Sequence, residues 1–179
     1  MRTQSLVALL LPLAIGLAGC ESMTVSECKV ADWSRVGYTD GSRGESESRI
    51  ANYTEDCGKA GIVPNAKAYR RGWDSGILQF CTPANAWREG TQGHTSKEDV
   101  CRGQPGANTY ARYFQAGMRL HRTKEQMQRN SSETARLQKR LEASKSDDER
   151  KELRSDLRHI DRDQARLRHL LEEQQMSAP

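Results

Sequence analysis

The sequence is poor in hydrophobic and aromatic residues, and neither sign of charge dominates. Hydrophobic residues make up 35% of the 179 positions and aromatic residues 6%, and 28 basic against 24 acidic side chains leave a net charge of +4. So short and polar a chain argues against a multidomain enzyme with a large core and against a membrane channel. A small net charge with interspersed signs argues against binding to nucleic acid. The composition fits one small domain joined to an extended segment.

Motifs of common enzyme and cofactor sites are also missing. The sequence contains no Gly-x-Ser-x-Gly, no His-Glu-x-x-His and no phosphate-binding loop, and none of its four histidines has a nucleophile at motif spacing. A hydrolase would need Asp40 or Asp74, which occupy related repeat positions, to meet His94 in a pocket. Aspartates near glycines are more typical of caps and turns. We therefore predict a protein that is not an enzyme and holds no cofactor.

The first twenty residues predict export and attachment to a membrane by lipid. An apolar stretch, Leu6 to Leu17, follows Arg2; it has the length of a signal-peptide core but is too short to span a bilayer as a helix. It leads through Ala and Gly into Cys20, which resembles the lipobox of bacterial lipoproteins. The resemblance implies that residues 1–19 are a signal peptide and that Cys20 carries the acyl chains of the anchor. An ordinary secretory signal, with Cys20 as a structural thiol, is the alternative.

The residue after Cys20 helps to predict the membrane to which a lipoprotein is sorted. It is Glu21 rather than Asp. By resemblance to the sorting of enteric lipoproteins, this implies the inner leaflet of the outer membrane. We expect the mature chain to face the periplasm.

The remaining four cysteines predict two disulfide bonds, because their number is even and the expected compartment is oxidising. Of the three pairings possible, we favour Cys28 with Cys57 and Cys81 with Cys101. These close separate loops of about 30 and 21 residues, each contributing about 3 to 4 kcal/mol. A zinc site is the alternative, but the sequence has no Cys-x-x-Cys pair and only His94 in this half of the chain, so no metal is predicted.

The mature chain changes composition near residue 117. Residues 20–117 contain every Trp, the four pairing cysteines and nearly all Gly. Residues 118–179 contain no Gly and no aromatic residue, and Pro only at the end, which is typical of a long solvated helix or coiled coil. No helix breaker separates the two parts, so we expect the junction inside one helix.

Glycines and aromatic residues recur in residues 20–117. A pattern of Gly, aromatic, two residues and Gly occurs at 37–41 and again at 72–76, with weaker echoes at 87–93 and 113–117. On a helix these glycines share a face, where they let helices approach closely. No useful alternating strand pattern appears, and short helices are indicated instead: Asn65 offers a cap before a helix from Ala66 to Phe80, and Thr82 offers one directly before Pro83. We predict a small helical domain in which the rings form the core; the alternative is a ligand surface of Trp33, Trp73 and Trp87 that stacks on glycan or peptide.

Residues 118–179 contain two heptad patterns separated by a capping box, Ser146-x-x-Glu149. Folding the chain back at this box pairs the two patterns layer by layer, which predicts an antiparallel coiled-coil hairpin. Leu137 and Leu141 are the expected spare surface. The patterns are Leu120, Thr123, Met127, Asn130, Thr134, Leu137 and Leu141, and then Leu153, Leu157, Ile160, Gln164, Leu167 and Leu171.

A series of motifs runs through the mature chain in a fixed order. They are the lipobox, Cys28 with Asp32-Trp33, Gly37-Tyr38-x-Asp40-Gly41-x-x-Gly44, Cys57 with Gly61 and Pro64, Tyr69-x-x-Gly72-x-x-x-Gly76, Phe80-Cys81-x-Pro83, Gly90-x-x-Gly93, Cys101 and the charged tail. This order resembles bacterial lipoproteins grouped as the domain of unknown function 2799 family, over nearly the whole mature chain. The resemblance implies no particular activity.

Together these features predict a mainly α protein with three segments. They are a signal peptide (1–19), a lipid-anchored and disulfide-bonded helical domain (20–117) and a charged helical hairpin (118–179). We expect a lipoprotein of the cell envelope with a structural or protein-interaction role, whose hairpin reaches towards an envelope protein. A glycan- or peptide-binding module using the aromatic face of the domain is the alternative.

Overall fold

A computed structural model of the protein describes residues 22–179, and the secondary structure in this range is helical. Seven α-helices are joined by turns and two short 3-10 helices, with no strand among the described residues. The mainly α fold class is confirmed. The predicted signal peptide and Cys20 lie outside the described residues. The helices are α1 (Val25–Val30), α2 (Trp33–Ser42), α3 (Ile50–Gly58), α4 (Ala66–Phe80), α5 (Pro83–Thr91), α6 (Ala107–Ala143) and α7 (Asp147–Gln175).

Local sequence signals set where several helices begin. The Asn65 side chain accepts a hydrogen bond from a backbone N–H in the first turn of α4, at 3.0 Å. The Thr82 hydroxyl caps α5 in the same way, and Pro83 occupies the first helical position, where no N–H is needed. Ser146 caps α7. These are the caps that the sequence predicts.

Two disulfide bonds fasten the short segments of the domain. Cys28 of α1 is bonded to Cys57 of α3, and Cys81, at the end of α4, is bonded to Cys101, before α6. The Cα–Cα distances are 5.6 and 5.7 Å. This is the pairing favoured from the sequence. The short α1 is thereby held covalently to the body of the domain.

Helices α2 and α4 pack closely through glycines. A Cβ atom added to Gly37 or Gly41 of α2 would lie 2.0 or 2.5 Å from a backbone oxygen of α4. From Gly72 and Gly76 of α4, the distances to backbone oxygens of α2 would be 1.8 and 2.2 Å. Only a residue without a side chain permits this approach. The two copies of the sequence repeat therefore pack against each other, in parallel orientation.

Helices α5 and α6 repeat this contact. A Cβ atom on Gly90 would lie 2.3 Å from the carbonyl oxygen of Phe114, and one on Gly117 would lie 2.6 Å from that of Trp87. Each of the four packed helices thus carries an aromatic residue three positions before a contact glycine. The domain is built from two similar helix pairs. The four copies are Tyr38–Gly41, Trp73–Gly76, Trp87–Gly90 and Phe114–Gly117.

Helices α6 and α7 form the predicted antiparallel hairpin. The two helices have 37 and 29 residues and measure about 55 and 43 Å, and the part of α6 before residue 118 belongs to the domain. Arg140 pairs with Glu149 at 3.1 Å beside the turn, and the Asn130 amide donates to Asp163 at 2.8 Å farther along the arms. The junction between domain and hairpin lies inside α6, as expected from the absence of a helix breaker.

The seam between the arms mixes apolar and polar residues, and every member of the two heptad patterns is at least partly buried. Leu137 is only 4% exposed, so the expectation that it forms a spare surface is wrong, because it is enclosed where α6 packs on α7. Gln164 donates weakly to the carbonyl oxygen of Met127 at 3.5 Å, and its own Oε1 has no hydrogen-bond partner among the described residues. Gln164 is therefore a buried polar member of the seam whose hydrogen bonds are only partly satisfied.

Candidate functional site

The three tryptophans do not form a common exposed face. Trp33 and Trp73 are 9% and 6% exposed and belong to the core, whereas Trp87 is partly exposed on α5. The Trp33 ring packs against Tyr53 with centroids 6.1 Å apart, and the Trp73 indole N–H donates to the carbonyl oxygen of Glu45 at 2.8 Å. Trp33 and Trp73 thus have the core role that the sequence predicts, and the alternative of a stacking surface made by all three tryptophans does not form, since the two buried rings offer no platform for a ligand.

Glycines with positive φ end α2 and α5 in the same way. Gly44 has φ 65° and Gly93 has φ 75°. The N–H of the following residue, Glu45 or His94, bonds back to the carbonyl oxygen five positions earlier, at 3.0 and 3.1 Å. This is a Schellman motif, which favours glycine at the left-handed position. Gly44 therefore lies beyond the end of α2, and each turn folds the following residue, Glu45 or His94, back towards the helix that precedes it.

Asp40 is a buried carboxylate beside the contact of α2 with α4. Its Oδ2 accepts hydrogen bonds from the hydroxyls of Tyr53 and Tyr69, both at 2.9 Å, and its Oδ1 lies 3.7 Å from Arg49 Nε. Arg49 Nε also donates to the Tyr53 hydroxyl at 3.0 Å. Burial raises the pKa of Tyr69, and its hydrogen bond to the Asp40 carboxylate raises it further. The Asp40 carboxylate is thus satisfied by donors that remain protonated at neutral pH.

Glu89 is the equivalent acid in the second helix pair, since it also directly precedes a contact glycine. It is 7% exposed, and its two oxygens lie 2.8 Å from His94 Nδ1 and 2.9 Å from Arg88 Nη2. Burial raises the pKa of Glu89, but the hydrogen bonds from His94 and Arg88 outweigh this and lower it overall. Unlike the two buried tyrosines that donate to Asp40, Arg88 and His94 are about half exposed.

The acids singled out in the sequence are not brought together. Asp74 is exposed on α4, and His94 lies beside Glu89 instead of Asp40 or Asp74. The meeting that a hydrolase would require is thus absent from the described residues. The counterpart of Asp40 is Glu89, which the sequence reasoning missed. The spacing of residues does indicate this relation, because residues 40–44 read Asp-Gly-x-x-Gly and residues 89–93 read Glu-Gly-x-x-Gly.

Lys97 joins the two helix pairs across a cleft of about 430 Å³. Its ammonium donates to the Glu45 carboxylate at 2.9 Å and to the carbonyl oxygen of Gly44 at 2.8 Å, while its own carbonyl oxygen accepts from the Tyr110 hydroxyl at 3.0 Å. Burial raises the pKa of Glu45, and Lys97 and Arg49 lower it by more. Lys97 thus holds the two halves of the domain together through its contacts with Glu45, Gly44 and Tyr110.

We expect the stability of the domain to fall at alkaline pH. Burial raises the pKa of Tyr53, Tyr69 and Tyr110 above the ordinary 10.0, so the unfolded chain loses these protons first as the pH rises. The stabilisation is complete below a pH of about 10 and is lost above it, with a slope of about 1.4 kcal/mol per pH unit for each tyrosine. Urea unfolding at a series of pH values measures the slope. Tyr69→Phe should make it shallower, and an unchanged slope would contradict the assignment.

The start of the described chain is fastened to α3. The Ser22 backbone N–H and hydroxyl both donate to Asp56 Oδ2, at 2.7 and 2.6 Å. Lys59 pairs with the other carboxylate oxygen at 2.8 Å, and the hydrogen bonds from Lys59 and Ser22 lower the pKa of Asp56. Thr24 then begins α1 with a reciprocal capping box. Ser22 follows the predicted lipid-attachment residue, Cys20, by two positions.

Arginines spaced by four residues form a ridge along α7, on one face of the helix. All four arginine side chains are exposed. Arg166 pairs with Asp163, whereas Arg154 and Arg158 have no ion pair within the part of the chain that the structure describes. The arginine ridge consists of Arg154, Arg158, Arg162 and Arg166.

Residues 22–179 contain neither a candidate metal centre nor a candidate membrane-spanning helix. No cluster of three or more His, Cys, Asp or Glu side chains in this range could hold a metal ion. No helix in the same range is both long and apolar enough to cross a bilayer.

The fold and the site define a class of protein: an all-helical domain with two disulfide bonds, built from two glycine-packed helix pairs and extended by a helical hairpin. Residues 32–119 match the model of the family described as "Protein of unknown function (DUF2799)". Over these residues the chain is similar to this family, and the resemblance noted in the sequence is confirmed for this range. The matched range spans both helix pairs and ends just after the last contact glycine, Gly117. No curated protein and no solved structure was found to match the chain.

Proposed function

We propose that the protein is a lipid-anchored lipoprotein of the cell envelope with a structural or protein-interaction role. Cys20 carries the lipid, the domain of residues 20–117 stands on the inner leaflet of the outer membrane, and the hairpin of residues 118–179 binds a partner protein in the periplasm. The lipobox-like sequence supports the anchor. The two disulfide bonds fit an oxidising compartment.

The observation that carries the interaction role is the continuity of α6. Tyr110 and Phe114 are 1% and 0% exposed in the core of the domain, and the same helix continues without a break to Ala143. The first arm of the hairpin is thus an extension of the core and does not depend on a flexible linker. A long arm fixed to an anchored base is suited to contacting a protein away from the membrane surface.

The arginine ridge is the surface of the hairpin that we propose to meet the partner. Arginine presents a planar set of donors that matches carboxylates in bidentate geometry. Arg154 and Arg158 make no ion pair among the described residues, so their charges are available for contacts with another molecule. The partner is therefore expected to present a surface rich in Asp and Glu. Binding of this kind should weaken as the salt concentration rises.

Reversing two charges of the ridge should abolish partner capture. In the double variant Arg154→Glu with Arg158→Glu, attraction becomes repulsion; if each change costs about 1 kcal/mol, affinity falls about thirtyfold. The measurement is chemical crosslinking of the lipidated protein in its own envelope, followed by mass spectrometry. Crosslinks to the partner should be lost, while crosslinks within the domain remain.

A matched variant controls for net charge. Lys124→Glu with Lys139→Glu changes the charge by the same amount at two exposed positions of the other arm, and it should leave capture unchanged. Equal loss in both variants would point to unspecific electrostatic attraction and would contradict the assignment to the ridge. If only internal crosslinks are found in the unaltered protein, the interaction role fails.

A further inference from the structure

Exposed aliphatic side chains gather near the N-terminal end of the described chain. Val25 and Val30 of α1 are 44% and 83% exposed, and Val63, after α3, is 83% exposed. They lie on neighbouring segments because the Cys28–Cys57 disulfide joins α1 to α3, and because the N–H of Ile62 donates to the carbonyl oxygen of Cys57 at 3.1 Å. Val30 and Val63 are the most exposed large hydrophobic residues in the described part of the chain.

Two lysines accompany the valines. Lys29 is exposed in the last turn of α1, and Lys59 is exposed just after α3, where it pairs with Asp56. The nearby carboxylate of Glu27 is engaged by the hydroxyl and the N–H of Thr24, at 2.6 and 2.8 Å. Aliphatic side chains flanked by lysines suit the boundary between lipid headgroups and acyl chains, where the stems of lysines lie on apolar surface and their charges meet phosphates.

The covalent chain limits how far this surface can lie from an anchor at Cys20. Ser22 is fixed to Asp56 by two hydrogen bonds, and the two residues from position 20 to position 22 span at most about 7 Å. An acyl group on Cys20 therefore leaves the protein within that distance of Ser22. A domain attached in this way meets the bilayer directly, without a linker.

We propose that Val25, Lys29, Val30, Lys59 and Val63 form an anchor face that rests on the bilayer, with the valines at the depth of the lipid headgroups. This inference rests on the proposed lipid attachment at Cys20 and adds the orientation of the domain. The Cys28–Cys57 disulfide and the Ser22–Asp56 hydrogen bonds then connect the anchor rigidly to the helix pairs.

The test is photocrosslinking of the full-length lipidated protein in vesicles of phosphatidylethanolamine and phosphatidylglycerol. A benzophenone side chain is placed at position 30 or 63 and, as matched controls, at positions 78 and 170, where the native leucines are also exposed but lie on α4 and α7. Mass spectrometry then detects lipid adducts at each position, together with the state of Cys20 in the N-terminal peptide. We expect adducts at positions 30 and 63 and only background at 78 and 170.

Two outcomes would overturn the inference, and they are distinguishable. If Cys20 is acylated but positions 30 and 63 give no more adducts than the controls, the anchor face is wrong and the lipoprotein proposal stands. If Cys20 carries no acyl chain, the lipoprotein proposal fails, and the anchor face fails with it because its tether is missing.

Discussion

Replacing Gly72 by Ala should strongly destabilise the domain. The added Cβ would lie 1.8 Å from the carbonyl oxygen of Ser34 and 2.9 Å from the backbone nitrogen of Tyr38. Both neighbours are backbone atoms of α2, so no side-chain rotation relieves the clash and the two helices must separate. We expect a loss of about 3 kcal/mol or more, at the upper end of the range for overpacked cores. Urea unfolding followed by circular dichroism measures the free energy of unfolding.

Gly58→Ala is the matched control for this substitution. Gly58 ends α3, and a Cβ atom there would meet nothing within 4 Å. Alanine should therefore be neutral or stabilise the protein slightly, because it reduces the conformational freedom of the unfolded chain. Gly117→Ala should resemble Gly72→Ala, since it introduces the same clash between α6 and α5. Equal stability of the Gly72 and Gly58 variants would disprove the close contact.

Features decided by neighbouring residues could be predicted from the sequence. The caps at Asn65, Thr82 and Ser146 each depend on a side chain and a backbone N–H three positions away, and all three begin the helices expected. The bounds of α4 and the pairing of the cysteines followed from similarly short stretches. The hairpin was predictable for a related reason, because its two heptad patterns face each other around a single turn.

Features decided by the register between helices could not be predicted in the same way. The 35-residue repeat showed that α2 and α4 are alike, which made Asp74 look like the counterpart of Asp40. The structure shows instead that the pair of α2 and α4 is matched by the pair of α5 and α6, so Glu89 is the counterpart. The burial of Trp33 and Trp73 agrees with the predicted core role of the rings, but the side of each helix on which a ring lies depends on this register.

The two acid sites differ in how firmly they are enclosed. Asp40 accepts hydrogen bonds from two tyrosines that are 4% and 0% exposed, whereas the two partners of Glu89, Arg88 and His94, are about half exposed to solvent. Loss of an acid beside buried donors costs more than loss of one beside solvated donors, because buried donors cannot turn to water. We therefore expect the Asp40 site to contribute more to the stability of the domain than the Glu89 site.

Asp40→Ala should lower the free energy of unfolding by about 3 to 5 kcal/mol, because it removes the acceptor of two buried hydroxyls and the partner of Arg49. Asp74→Ala, an exposed acid on the partner helix, should stay within about 0.5 kcal/mol of the parent protein. Urea unfolding compares the two variants.

A double-mutant cycle then tests the assigned contact itself. In the Tyr69→Phe variant the hydroxyl that donates to Asp40 is absent, so Asp40→Ala leaves one fewer buried donor without an acceptor. Asp40→Ala should therefore lower the free energy of unfolding by less than it does in the parent protein. If the two losses simply add, Asp40 and Tyr69 do not interact, and the buried network cannot be what joins α2 to α4. If the two losses are strongly coupled, the Asp-Gly-x-x-Gly pattern identifies a structural centre of the domain. Its glycine sets the distance between the two helices, and its acid accepts hydrogen bonds from the tyrosine hydroxyls that are buried at this distance.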